Sequence, residues 1–539
     1  MSLLLVNGKI RISQGHYAEA VAIEDGIIRC VGSNQEVLLF KQKDTEVIDL
    51  DGRICLPGFN DSHMHFLDYG YNHSNIDLGE THSIKEAIEL IRKQLETTLF
   101  SKDHWIQAYG WNDDNWLEKR HLTKKDLDEC SMEYPIIAVR VCEHIAVLNS
   151  KALNVMGLRR YSAQPDAGRF LVDSNGDPTG EIHEMIYKAF EVMPEPTVEE
   201  IKGMIKIAGN DAVKVGLTAV QTDDFESIPG HNFTSIIRAY LELSEEGILP
   251  VRVYEQCALP NKARYDEFVS AGYATQQGTS MFKLGPMKLF CDGSLGARTA
   301  WLKEDYSDDL GNSGYGLYDN PEQLNDMVRT AHQANMAVAI HCIGDAAAEQ
   351  AVTAIEMAQK EYPEIELRHG IVHAQILDDN IISRMANANI IAYIQPIFIE
   401  YDLHMAESRV GERRIRTSYN WNTLRNCGIH TPFGTDCPVE SFAPLPNIYS
   451  AVTRKDLNGY PDGGWYPNEA LSLDDSIDCY TIESAYASYD ENNKGTIAVG
   501  KYADLTILNQ NIFDMVPDKI KDAGIYMTIV SGKIRWRED

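Results

Sequence analysis

The chain has 539 residues, 44% of them hydrophobic and 24% charged, with 49 basic against 80 acidic side chains and a formal net charge of −31. That length supports a large core, built as one big domain with a smaller one or as two to four average domains. The acidic excess, spread along the chain as on a solvated surface, repels phosphate backbones and anionic lipid headgroups and so argues against nucleic acid and membrane partners. Ten cysteines form no C-x-x-C pair, and most sit inside apolar runs such as VAIHCIG. They read as buried, reduced thiols rather than a disulfide framework or a zinc finger. The start, MSLLLVNGKIRIS, lacks the basic region and long apolar stretch of a signal peptide. No window approaches about 18 uninterrupted apolar residues. A cytoplasmic protein is expected.

In chain order, residues 3–55 read as short strands, LLLVNGKIRI, AEAVAIEDGIIRCVG and TEVIDLDGRICL, with N-G and D-G as hairpin turns. The C-terminal end, GTIAVGKYADLTILN and GIYMTIVSGKIRWRE, has the same texture after a helical stretch near 469–488. Both ends (1–55 and 490–539) are therefore expected to build one small sheet structure, with 56–489 inserted between them. LPGFNDSHMHFLDYG (56–70) then places two histidines one residue apart. In an extended strand, residues i and i+2 share a face, so His63 and His65 aim two imidazoles at one spot. Residues 67–216 are too many for a loop and are expected to form an inserted subdomain. Seven further strands follow: 217–224, 249–257, 282–293, 336–345, 367–375, 389–396 and 429–438. Helical patterns such as NPEQLNDMVRTAHQAN and DAAAEQAVTAIEMAQKEY separate several of them. Eight strands alternating with helices is the (β/α)8 barrel pattern. An open doubly wound sheet competes, but no glycine-rich phosphate turn follows the first strand.

In a barrel, function collects at the C-terminal strand ends. The first strand carries His63 and His65, and the fourth Lys288 and then Asp292. The fifth ends at His341, the sixth at His373, the eighth at Asp436. Taken alone, Lys288 reads as a surface or salt-bridged lysine, His341 as a core histidine and Asp436 as a turn or cap residue. Five of eight strand ends bearing such groups are hard to produce by chance.

PGFNDSHMH, PMKLFCDGSLGARTA, AIHCIGDAA, HGIVHAQ and FGTDCPVES together resemble the amidohydrolase superfamily. Within it the chain looks like the YtcJ-like branch, amidohydrolase family 3, which includes N-substituted formamide deformylases. AYGWNDDNW, VCEHIAVLNSKAL and GRFLVDSNGDPTGEIHE in the insertion are similar to that branch's own segments. KGTIAVGKYADLTIL resembles the superfamily's composite β-sandwich. The resemblance implies a TIM barrel with that β-sandwich and the inserted subdomain. It also implies that His63 and His65 bind the more buried metal, that a carbamylated Lys288 bridges two metals, and that His341 and His373 bind the second. Asp436 would sit beside the bridging water. A carbamate requires a neutral amine, which burial near a metal favours. Lys283, five residues earlier and on the opposite face, is the weaker candidate; His369, deeper than His373, reads as structural or as a support behind a ligand. Zn²⁺ suits the ligands best, with Mn²⁺, Fe²⁺ or Co²⁺ as alternatives. One ion held by His63, His65, His341 or His373 and Asp436 is the mononuclear alternative.

The implied activity is hydrolysis of a C–N bond in a small N-acyl, formamide or cyclic amide substrate. A metal-activated hydroxide would attack, with Asp436 as general base and then acid. Asp292 is expected to line the mouth of the pocket or, sharing strand parity with Lys288, to stand behind a ligand. Arg298 is expected at the mouth, on a substrate carboxylate or on a structural acid. From the insertion, Trp111, Asp113 and His144 would close over the site; core packing is the competing reading for Trp111. Ester or lactone hydrolysis, deamination or isomerisation could use the same centre. A ligand-binding descendant without turnover is the reading from another class. A dehydrogenase fits poorly, since no dinucleotide fingerprint follows a strand. A small molecule is the expected partner and a homodimer the assembly to consider.

Overall fold

A computed structural model of the chain describes residues 2–97, 102–141, 145–165 and 168–538. They divide into two compact units: Met1–Phe66 with Ala208–Phe225 and Tyr240–Asp539, and Leu67–Ile207 with Glu226–Ala239. Among the described residues no helix is long and apolar enough to cross a membrane, and the cysteines are free thiols.

The first unit contains a parallel sheet of seven strands in the order of the chain: Phe59–Met64, Leu217–Thr222, Arg252–Ala258, Phe282–Phe290, Val338–Cys342, Gly370–His373 and Ile391–Tyr393. Most of their residues are buried, and LTAVQT and RVYEQCA are buried throughout. Strands covered on both faces read as such near-continuous runs. Neighbours pair in parallel, Val220 opposite Asp61, Val253 opposite Phe282, and Ile340 opposite Ile371. The crossover helices carry their own start signals. Asn320 caps Pro321–Gln333 by accepting from the Gln323 N–H, Pro321 occupies the first turn, and Leu324, Met327, Val328 and Ala331 make its buried stripe.

The eighth expected strand, 429–438, is not a regular strand. It carries one bridge, Ile394 with Phe433. Yet it closes the gap in the sheet: Ser62 N–H donates to Phe433 O at 2.8 Å on one side, and Gly434 N–H to Ile394 O at 3.0 Å on the other. Left-handed backbone at Asp436 (φ 59°) turns the segment away after only a few residues.

Two further sheets draw on the chain ends. Leu505–Leu508 pairs antiparallel with Ile54–Pro57, inside a six-stranded sheet that also holds Lys9–Ser13 and Lys533–Arg537. Ser2–Val6 lies between Ala20–Glu24 and Glu46–Asp49 in a four-stranded sheet. Leu5, Val21, Ile48, Cys55, Leu505 and Met527 meet in one buried cluster. Of the three expected hairpins, only Asp25–Gly26 is one, with positive φ at both residues and Ala20–Glu24 returning as Ile27–Gly32. At Asn7–Gly8 and Asp51–Gly52 the chain passes from one sheet to the other instead. The two crossings run side by side, with Gly52 N–H donating to Asn7 O at 2.7 Å.

The second unit has its own six-stranded sheet, in which Ile106–Trp111 and Ile136–Arg140 run parallel. Trp111 and Trp116 stack in its core, with ring centroids 5.5 Å apart.

Within the first unit, Arg252 of the third barrel strand bonds Asp504 through Nε at 2.6 Å and Nη2 at 3.1 Å, both side chains 4% exposed. Removing one member of a buried pair leaves the other charge uncompensated. Arg252→Met is therefore expected to cost about 3–5 kcal/mol in urea unfolding, with Arg252→Met/Asp504→Leu recovering part of the loss. Equal losses in the single and double variants would show that the stranded charge is not the cause.

Candidate metal centre

The C-terminal ends of the barrel strands converge on one set of donors. His63 is fully buried, and its backbone is clasped on both sides. Its N–H donates to Asp61 Oδ1 at 3.0 Å, and its carbonyl accepts from Thr435 N–H at 3.1 Å and Asp436 N–H at 2.8 Å. Asp61 in turn accepts from the Thr435 hydroxyl at 2.6 Å, and burial pushes its carboxyl up to about 7. Gly434 permits this approach, since a Cβ there would lie 2.7 Å from the His63 nitrogen.

His63 Nε2 and His65 Nε2 reach the same oxygen, Asp436 Oδ1, at 3.2 and 3.1 Å. The H-x-H spacing thus delivers both rings to one carboxylate. Ligand atoms of His63, His373 and Asp436 all lie within 4.8 Å of one another. The His341 and His373 rings stand 4.4 Å apart. Lys288, 1% exposed, places Nζ 3.3 Å from His63 Nε2 and 2.9 Å from Asp223 Oδ2. Lys283 instead reaches Asp490, at 3.5 Å. His373 (φ 77°), Ala374 (φ 48°) and Asp436 (φ 59°) hold left-handed backbone, the sort of local strain that clusters at functional sites.

The electrostatics suit cation binding. Burial and the neighbouring Lys288 charge lower the His63 pKa, and the same causes bring His341 down to about 4. Burial and the His341 ring take His373 well below the ordinary value. These imidazoles are neutral at neutral pH, the form that binds metals. Burial opposes charge on His65, but the Asp436 bond and the Asp436 and Asp223 charges outweigh it and push it up to about 9. Burial likewise opposes charge on Asp436, yet the facing rings of His63 and His65, with His373 beside them, hold its carboxyl well below the usual range.

Two glutamines orient the rings. Gln256 Nε2 donates to Ser62 O at 3.0 Å, which turns its Oε1 to His63 Nδ1 at 2.8 Å. Gln395 Nε2 donates to Tyr393 O at 3.1 Å, and its Oε1 faces His373 Nδ1 at 3.0 Å. Because the backbone carbonyls demand donors, each amide presents an acceptor to its imidazole. Each Nδ1 therefore carries the proton, and each Nε2 keeps its lone pair. Asp61, Asp223, Gln256 and Gln395 are absent from the reading of the sequence. Their signal is a polar residue near the end of an apolar strand, as in VRVYEQC and AYIQP.

Asp292, 2% exposed, accepts from the N–H groups of Ile343, Gly344 and Trp301 at 2.8 to 3.0 Å and stands 3.5 Å from His341 Nε2. Burial raises its carboxyl to about 7. Arg298 bonds Asp308 at 2.9 Å. In the second unit, Trp111 is fully buried with Nε1 donating to Ala138 O at 3.0 Å, and Asp113 bonds Arg140 at 2.8 Å. His144 lies outside the described residues. His369 Nδ1 accepts from Val338 N–H at 3.1 Å, which turns its Nε2 proton to His332 Nδ1 at 2.9 Å.

A family model described as "Amidohydrolase family" matches residues 46–535. The chain belongs to the amidohydrolase family. Within it the chain falls in the YtcJ-like branch. It is 33% identical to YtcJ of Bacillus subtilis (strain 168) over 536 residues, 97% of each chain. It is 23% identical to the N-substituted formamide deformylase of Arthrobacter pascens over 99% of this chain and 98% of that one. A crystal structure of an uncharacterized metal-dependent hydrolase from Pyrococcus furiosus superposes with a TM-score of 0.78 at 27% identity, covering 95% of this chain and 99% of that one. For an amidohydrolase, two imidazoles and a carboxylate are a donor set that suits a divalent cation.

Replacing Gln256 or Gln395 by Leu should weaken zinc binding about 10–100-fold while leaving circular dichroism unchanged. Unaltered zinc affinity in both variants would remove the orienting role. A second expectation concerns pH. Burial and the His332 ring push His369 down to about 3. Its folded pKa lies below the unfolded value near 6.5, so between those values the unfolded chain binds the extra proton. This contribution to stability is complete above about pH 6.5 and is lost as pH falls toward 3. His369→Gln should flatten the dependence of Tm on pH between 7 and 4, and an unchanged slope would contradict the assignment.

Proposed function

We propose that this protein is a metal-dependent hydrolase of C–N bonds in a small N-acyl, formamide or cyclic amide substrate. The observation that carries the proposal is the convergence of His63, His373 and Asp436 at the strand ends. The formamide substrate named for the Arthrobacter relative and the metal dependence named for the Pyrococcus structure agree with it. When bound, a divalent cation supplies Lewis acidity toward a carbonyl oxygen and toward water. His63 and His373 would hold it through Nε2 and Asp436 through its carboxylate, with His65 on the same oxygen and His341 beside His373. Asp436, kept ionised, accepts the proton of the attacking water and returns it to the departing nitrogen.

Lys288 decides the number of ions. Its ammonium faces Asp223 at 2.9 Å. Conversion to a carbamate would replace a cation by an anion beside that carboxylate, which only a further cation could offset. The carbamate and the second ion therefore stand together, and an ammonium at Lys288 goes with one ion.

Elemental analysis of protein purified without chelator tests this directly. About two equivalents of metal in the parent and about one in Lys288→Ala would support the carbamate-bridged pair. One equivalent in both would support a single ion. None in either, after reconstitution with zinc, overturns the hydrolase reading. Asp436→Asn should lower kcat on a hydrolysed N-formyl or N-acyl amine by about 10²–10⁴-fold. A rate within a few-fold of the parent would remove Asp436 as the proton carrier.

A further inference from the structure

At the N-terminal ends of the third and fourth barrel strands, the opposite end from the metal centre, lies a cavity of about 10 Å³. Arg252, Tyr254, Lys283, Ser488, Asp490 and Lys494 are among its lining residues. That volume suits one water-sized species. The charges around it do not balance. Arg252 is matched by Asp504 through two short bonds. Asp490 is left as the one carboxylate for two ammonium groups, Lys283 at 3.5 Å and Lys494 at 3.8 Å, and its Oδ1 already accepts from Asn493 Nδ2 at 2.7 Å. Lys501, the next cation, donates to the carbonyls of Glu491 and Lys494 and brings no carboxylate to the cavity.

Lys494 is the group that most needs a partner. It is 6% exposed, and no acceptor lies within hydrogen-bond distance of its Nζ among the described residues. Burial brings its pKa down to about 8, so it still carries charge at neutral pH. A buried ammonium without a full partner is costly, and an anion of one charge cancels the excess.

We propose that this cavity binds a single small monovalent anion of the halide class, held between Lys283 and Lys494. The site would tie the fourth barrel strand to the segment that leads into Leu505–Leu508. It is independent of the hydrolase reading, since no residue of the metal centre takes part.

The first test is the Tm of the intact protein in sodium gluconate, chloride or bromide at one ionic strength. Chloride and bromide should each raise Tm saturably above gluconate, as expected of a ligand that binds the folded state. Lys494→Met should abolish that rise, and Lys283→Gln should weaken it. A rise that persists in Lys494→Met would be a general salt effect and would overturn the proposal. So would identical Tm values in the three salts. Should Lys494→Met fail to fold, crystals of the parent protein in bromide decide the matter: an anomalous peak between Lys283 and Lys494 supports the site, and its absence overturns it.

Discussion

The grip on His63 is the constraint from which the rest of the centre follows. Its backbone N–H is bound by Asp61 and its carbonyl by two N–H groups of the closing segment. Its Nδ1 is bound by Gln256, and its Nε2 faces Asp436 and Lys288. The grip therefore joins the first strand to the segment that closes the barrel and to the third and fourth strands. Gly434 makes the approach possible, and left-handed backbone at Asp436 returns its carboxylate to the ring it has just passed. A residue held at so many atoms contributes position, which is what a metal ligand or a catalytic group must supply.

Burying so many polar groups is costly unless each has a partner. The centre answers with pairings that also define protonation. Carbonyl-tethered glutamines fix the tautomers of His63 and His373, and the Lys288 ammonium is set against Asp223. Asp292 binds three backbone N–H groups, that of Trp301 after the fourth strand and those of Ile343 and Gly344 just past the fifth. These arrangements restrain the donors before any ligand arrives, so little reorganisation is left to binding.

Much of this was legible in the primary structure for one reason: strand geometry is local. Parity alone places His63 and His65 on one side and separates Lys288 from Lys283. Apolar runs and capped helices mark the barrel frame. The misread elements are those that local patterns do not decide. Asn7–Gly8 and Asp51–Gly52 have hairpin chemistry, but each is followed by a strand that finds its partner in the other sheet. The segment 429–438 has strand composition, yet its pairing is cut short by the turn at Asp436.

By itself the sequence determined the alternation of strand and helix, the kinds of donor at the strand ends and the membership of the amidohydrolase family. These depend on periodicity and on residue identities at short spacing. The tertiary structure alone decided which donors meet, that Asp223 pairs with Lys288, that Arg298 is engaged by Asp308, and that two glutamines set the imidazole tautomers. Those contacts join residues far apart in the chain, and nothing in the local preference of either partner encodes the distance between them. They arise only when the barrel closes and its strand ends are brought to one rim.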